Sequence, residues 1–142
     1  MRLFLFVNKL ILILALSFGA KAQTAQELIA SVVILEAGGE GKQGMQAVYE
    51  VINNRAKDGN LVKIVLAKKQ FSCMNSLAPD QAFAKAKKHI NFNYALSLAS
   101  KSPETCLTHG SIFYYSDSIK PPVWAKNMKQ AIKINHHIFL KP

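Results

Sequence analysis

Acidic residues are scarce in this chain: eight Asp and Glu stand against eighteen Lys and Arg in 142 residues, a formal net charge of +10. A balance this basic points to anionic partners such as nucleic acid, lipid headgroups or wall polymer. Cysteine is limited to Cys73 and Cys106, with no histidines beside them at ligand spacing, which argues against a metal site. No Gly-x-Ser-x-Gly, His-Glu-x-x-His or P-loop string occurs. Elbow-type serine hydrolysis, zincin proteolysis and P-loop nucleotide chemistry are therefore excluded, and no cofactor is expected. Repeats, low-complexity tracts and internal linkers are absent as well, so the chain reads as one domain. Long apolar runs are also lacking. The longest, residues 10–20, would rise only about 16 Å as a helix, against roughly 30 Å of hydrocarbon.

That run belongs to a leader. Arg2 and Lys9 make a basic start, residues 10–18 are apolar, and Ala20-Lys21-Ala22 is an Ala-x-Ala cleavage signal. Residues 1–22 thus read as a signal peptide, and the mature chain starts at Gln23. Cleavage leaves 120 residues, enough for a single core, with a net charge of +7. The protein is expected to be exported, to the periplasm, the envelope or the medium, with no stable membrane insertion after cleavage. Export and the lack of any reader motif argue against nucleic acid as the partner. In an oxidising compartment the two cysteines are most simply one Cys73–Cys106 disulfide. Its loop of about 33 residues would add roughly 3 to 4 kcal/mol in the chain-entropy model.

Helical spacing dominates the mature chain. Thr24 and Glu27 form a capping box, and Leu28, Val32 and Leu35 recur behind it with Ile29 and Val33 alongside. Gly38 and Gly39 are expected to stop this helix by supplying positive φ, leaving Glu36 in its last turn and Glu40 beyond. A second helix is predicted over residues 44–57, on the stripe Met45, Val48, Tyr49 and Ile52. A short helix follows over residues 61–67. Asp80 is expected to cap a long one running through residue 98, with Phe83, Ala86, Ile90 and Tyr94 on one side. After Pro103 the pattern changes. Residues 111–115 read as a strand, 121–124 as a loop, 125–134 as a helix and 137–140 as a final strand. The fold class is mainly α with a small β element.

Glu36 and Glu40 are the residues most suggestive of chemistry. They are two of only eight acids and sit four apart in Leu35-Glu36-Ala37-Gly38-Gly39-Glu40-Gly41. A general acid must hold its proton near neutral pH. The end of an apolar helix offers desolvation, and the helix C-terminus disfavours a nearby negative charge, both of which favour the protonated form. An ordinary surface pair is the competing reading. Asn54 and Arg55 read either as a polar helix end or as groups that hydrogen-bond a sugar or orient a carboxylate. Gln70, Ser72, Tyr114, Tyr115 and Trp124 offer amide, hydroxyl and aromatic surface suited to sugars. Phe71 and Phe113 are expected in the core, and His136 and His137 as structural donors.

Taken in order, these strings resemble the cell wall hydrolases of the SleB/CwlJ type. The family's Glu-Ala-x-Gly-Glu is matched at residues 36–40, its Gly-x-x-Ala-Val at 44–48, its Asn-Arg at Asn54-Arg55 and its Gln-Phe-Ser at 70–72. Gly110, Asp117, Lys120-Pro121, Trp124-Ala125 and His137-Ile138-Phe139 resemble its closing segment. Many members carry histidines where this chain has Phe113 and Tyr115, and Pro122-Val123 is one residue longer than the family's Pro-x-Trp. The resemblance implies a lysozyme-like single domain over residues 23–142 that cleaves peptidoglycan strands between N-acetylmuramic acid and N-acetylglucosamine. It implies Glu36 as catalytic acid with Glu40 auxiliary, and Asn54, Arg55, Gln70, Ser72, Tyr115 and Trp124 as substrate-binding residues. Peptidoglycan is the implied partner, and the basic surface suits further anionic wall or envelope polymers. Three readings stay open: a lytic transglycosylase with one catalytic Glu, a muramidase in which water attacks, and a non-catalytic basic wall-binding domain.

Overall fold

Thr24 opens the first helix as its sequence predicts. In a computed structural model describing residues 21–142, the Glu27 N–H donates to Thr24 Oγ1 at 3.1 Å and the Thr24 N–H to Glu27 Oε2 at 2.8 Å. Nearly all of the predicted leader lies outside the described residues. Helix α1 (Ala25–Ala37) is buried almost all round, through Leu28, Ile29, Ala30, Ser31, Val32, Val33, Ile34 and Ala37. An all-apolar helix belongs in the middle of a fold. Here α1 is wrapped by α2 (Gly41–Arg55), α3 (Leu61–Leu66), α5 (Pro79–Ala86) and α6 (Phe92–Ala99). The capping box sits at its exposed N-terminal end, so Thr24→Ala should cost about 1 kcal/mol. A thermal melt checks this; an unchanged midpoint would mean the box contributes nothing.

The turn after α1 differs from expectation. Gly38 adopts ordinary helical angles, and the positive φ falls later, at Gly41 (φ 70°). Gly38 to Glu40 form one 3₁₀ turn, so α2 starts at Gly41 instead of residue 44. Gly38 is needed for another reason: a Cβ there would lie 3.1 Å from the His89 ring. Gly44 is needed too. A Cβ on it would stand 2.3 Å from the Glu40 Cβ, which lies across the first turn of α2.

The long helix predicted from Asp80 is two helices. Ala78 and Pro79 begin α5, with the Ala78 N–H bonded to Gln81 Oε1 at 2.9 Å, so Asp80 lies inside the first turn and is not the cap. The chain breaks over residues 87–91. The Asn91 N–H bonds the ring of His89 at 3.1 Å, and Asn91 Nδ2 reaches the Gly38 carbonyl at 3.3 Å. A tertiary contact thus overrides a continuous apolar stripe, and Ile90, expected on that stripe, is exposed.

Helix 125–134 does not form either. Val123–Asn127 is a 3₁₀ turn, and Lys129–Ile134 is a strand, β2. It pairs antiparallel with β3 (His137–Lys141), and β3 pairs antiparallel with β1 (Phe113–Ser116), giving the order β1-β3-β2. Ile134 faces His137 across a two-residue turn in which Asn135 takes φ 50°, a conformation Asn tolerates. The tip of this hairpin is tied to the helical body by Glu40. The Glu40 carbonyl accepts from Asn135 Nδ2 at 2.6 Å, and its carboxylate accepts the His136 N–H at 2.9 Å. A mainly α body with a small sheet docked on it is the result, and the cleft lies between them. Among the described residues no helix is long and apolar enough to cross a membrane.

Candidate active site

Glu36 is a polar interruption at the C-terminal end of a buried helix, and it opens into the cleft between α1 and the sheet. Its carboxylate is held from two sides. The Tyr114 hydroxyl donates to Oε2 at 2.6 Å, while the Cys73 N–H donates to Oε1 at 3.3 Å and the Ser72 hydroxyl stands at 3.5 Å. Cys73 opens the one-turn helix α4 (Cys73–Ser76), so the wall facing Glu36 is the start of that turn. The cleft, about 850 Å³, lies within the range of small-ligand sites.

Tyr114 differs from the sugar-stacking role read from sequence. Its ring is packed 5.0 Å from His137 and 5.5 Å from Phe139, with only its hydroxyl aimed at Glu36. Burial, reinforced by the Glu36 charge, pushes its phenol well above the ordinary tyrosine value, so the hydroxyl keeps its proton. Cys73 behaves likewise: burial first and then Glu36 push its thiol upward, and it stays protonated and unreactive.

Arg55 lines the cleft, but its donors go to the frame. Nε bonds the Ile112 carbonyl at 2.7 Å and Nη1 the Gln70 carbonyl at 3.0 Å, with the guanidinium over Phe71 at 4.9 Å. Burial lowers its pKa, opposed by Tyr114 and Glu36; a guanidinium starts so high that it remains charged. Asn54 does not line the cleft. Its amide bonds the Ser111 carbonyl at 3.0 Å, just ahead of β1. Gln70, Ser72, Tyr115 and Trp124 do line it. Trp124 is 44% exposed and packs on Phe113 and Tyr115, ring centroids 5.5 and 6.1 Å away. Phe71 is core as expected, whereas Phe113 is half-buried in the cleft wall.

Glu40 is not brought to Glu36's cleft. It lines a separate polar hollow with Asp117, Lys133, Asn135 and His136, where Asp117 pairs with Lys133 at 2.7 Å. The expected disulfide is not formed: Cys73 and Cys106 are both free thiols. Cys73 is anchored beside Glu36, whereas Cys106 lies exposed in a turn clamped to the middle of α2, so each is committed to a different region. Among the described residues no group of His, Cys, Asp and Glu could hold a metal ion.

The clamp on that turn is Glu50, which sequence reasoning missed. It is 3% exposed, and its carboxylate accepts from the Leu107 N–H at 2.9 Å and from the Thr108 N–H and hydroxyl, each at 2.8 Å. The Thr105 hydroxyl is a fourth donor. One turn further along α2, Asn54 and Arg55 hold the Ser111 and Ile112 carbonyls. Helix α2 therefore fixes residues 105–112, and through them the strand that carries Tyr114.

His137 is 8% exposed and lines the cleft, with its Nδ1 buried and without a partner. Burial holds its imidazole below the ordinary histidine value, opposed by Glu40, Glu36 and Asp117 and aided by His136. The unfolded chain takes up this proton near pH 6.5, the folded chain only at lower pH. Stability should therefore fall as pH drops through about 6.5. Melting midpoints between about pH 5 and 8 check this. His137→Gln should lose less than the parent on acidification; parallel curves would contradict the assignment.

The sequence profile of the cell wall hydrolase family matches residues 39–140, nearly three-quarters of the chain. The chain belongs to the cell wall hydrolases. It is accordingly a peptidoglycan-degrading enzyme. The matched span includes Glu40 and begins just after Glu36. Two solved structures are similar to this hydrolase. The catalytic domain of the Bacillus cereus SleB protein aligns over 85% of this chain and 94% of its own, at 22% identity and a TM-score of 0.53. The catalytic domain of the germination-specific lytic transglycosylase SleB from Bacillus anthracis aligns over 87% and 98%, at 23% identity and 0.56. At these identities the likeness is one of fold, and that fold is lysozyme-like. No curated protein matches the chain.

Proposed function

We propose that this hydrolase cleaves peptidoglycan strands between N-acetylmuramic acid and N-acetylglucosamine as a lytic transglycosylase, with Glu36 as its single catalytic acid. The observation that carries this reading is that Glu36 is the one carboxylate among the described residues lining the cleft. Hydrolysis by inversion or retention ordinarily uses two carboxylates flanking the bond. Transglycosylation needs one. Glu36 gives its proton to the glycosidic oxygen, and positive charge develops at the muramic acid C1. The C6 hydroxyl of the same sugar attacks C1, and ionised Glu36 takes the hydroxyl proton. The acid is regenerated, the product ends in a 1,6-anhydro ring, and no water enters. Because the nucleophile is already on the substrate, proximity lowers the barrier.

Tyr114 suits both halves of this cycle. A phenol donates to the carboxylate when Glu36 is ionised and accepts from the carboxyl when it is protonated. Gln70, Ser72, Tyr115 and Trp124 bind the glycan, Arg55 holds the Gln70 and Ile112 ends of the cleft, and Asn54 and Glu40 act as struts. The relative from Bacillus anthracis, described as a lytic transglycosylase, supports the same chemistry. Residues 1–22 are the leader that exports the enzyme to its substrate, and the two cysteines work unpaired. Borohydride reduction of the products tests the reading. Ends that resist reduction are expected; reducible muramic acid ends would favour the water-using muramidase instead.

A further inference from the structure

Lys69 stands at the rim of the cleft in a conformation that its residue type disfavours. Residues 67–70 form a β-turn closed by the Gln70 N–H on the Ala67 carbonyl at 3.2 Å, and Lys69 is the third residue, at φ 61°. A turn with positive φ at that position ordinarily takes Gly or Asn. A side chain with a Cβ is strained there by its approach to the following carbonyl. The turn is pinned on both sides. The Lys69 N–H donates to Asn75 Oδ1 at 3.3 Å, and the Gln70 carbonyl is held by Arg55. Gly would fit this turn with less strain, so the turn itself does not account for a lysine.

Charge does account for it. Glu36, Arg55 and Lys69 are the charged residues lining the cleft, apart from the imidazole of His137. Arg55 is committed to two carbonyls and to Phe71. Lys69 is exposed and, among the described residues, makes no ion pair. We propose that Lys69 binds a carboxylate of the muramoyl side arm and so makes the enzyme favour strands whose side arms are anionic. This rests on the glycan-strand reading above. The sugars of such a strand are otherwise neutral; its negative charge sits on that arm, as the lactyl carboxylate where the stem peptide is gone or as stem carboxylates where it remains. A flexible ammonium with three rotatable donors suits a target of variable position better than the fixed fork of Arg55.

The test compares sacculi in three forms: stems intact, stems removed by an amidase, and all carboxylates neutralised by carbodiimide coupling to methylamine. The readout is kcat/KM for strand cleavage relative to the neutralised form, counting every new end whether anhydro or reducing. The parent enzyme should favour an anionic form about two- to fivefold, the size of one exposed ion pair. Lys69→Gly should lose that preference and Lys69→Arg keep it. Lys68→Gln removes the same charge from the same turn, outside the cleft, and should keep it too. Whichever anionic form shows the preference identifies the lactyl or the stem carboxylate as the ligand. Lys69→Gly should also melt no lower than the parent, which separates lost recognition from lost fold. A parent without preference, a preference retained in Lys69→Gly, or an equal loss in Lys68→Gln would overturn the proposal. Because all ends are counted, reducing products would sink the transglycosylase reading without altering this ratio.

Discussion

Glu36→Gln should abolish measurable lysis of purified sacculi, a loss of about 10²- to 10⁴-fold in strand cleavage, the usual contribution of one general acid–base group. The cleft contains no other described carboxylate to substitute for it. The substitution is nearly isosteric: the amide oxygen can accept from the Cys73 N–H while the amide NH2 donates to the Tyr114 hydroxyl oxygen, so fold and melting midpoint should hold. Glu40→Gln gives the contrast. Its carboxylate accepts the His136 N–H and lines a different hollow, so its loss should act on hairpin stability and much less on turnover. Substantial lysis by Glu36→Gln with normal melting would remove Glu36 from its role and revive the wall-binding reading.

Glu50→Ala should be the most damaging change to stability, at about 3 kcal/mol or more. It strands buried donors of Thr105, Leu107 and Thr108, and an unsatisfied buried group typically costs about 1–3 kcal/mol. For a domain of this size that lowers the melting midpoint by roughly 10 °C. Activity should also fall below the new midpoint, because residues 105–112 deliver the strand carrying Tyr114. Glu50→Gln should show part of the same loss, since its amide NH2 would face the N–H of either Leu107 or Thr108. Calorimetry of both variants checks this. A loss below about 1 kcal/mol in Glu50→Ala would show that the clamp does not hold the turn.

Glu50 also shows where the sequence is silent. The apolar positions of α2, from Met45 through Ile52, assign Gln46, Glu50 and Asn53 to the solvent side. What covers Glu50 is the irregular segment around residues 105–108, which has no periodicity of its own. Features set by near neighbours were legible: the Thr24–Glu27 box, the position of Glu36 in the last turn of α1, and the strands near residues 111–115 and 137–140. Features set by distant partners were not. The break between α5 and α6 depends on Asn91 reaching Gly38, and the hydroxyl partner of Glu36 comes from 78 residues away in sequence. The strand Lys129–Ile134 carried a usable signal, Asn135 in a two-residue turn before β3, but Lys, Gln and Ala favour helix locally. The expectation of a Cys73–Cys106 disulfide rests on number and compartment alone, which say nothing of the distance between the two thiols. Of the site residues, Gln70, Ser72, Arg55, Tyr115 and Trp124 do gather around Glu36, while Asn54 and Glu40 serve the frame.

Mass spectrometry of muropeptides released from purified sacculi in heavy-oxygen water tests the central claim most directly. The account predicts products one water lighter than hydrolytic ones, with 1,6-anhydromuramic acid ends and no label. Products carrying heavy oxygen at a reducing muramic acid end would contradict it.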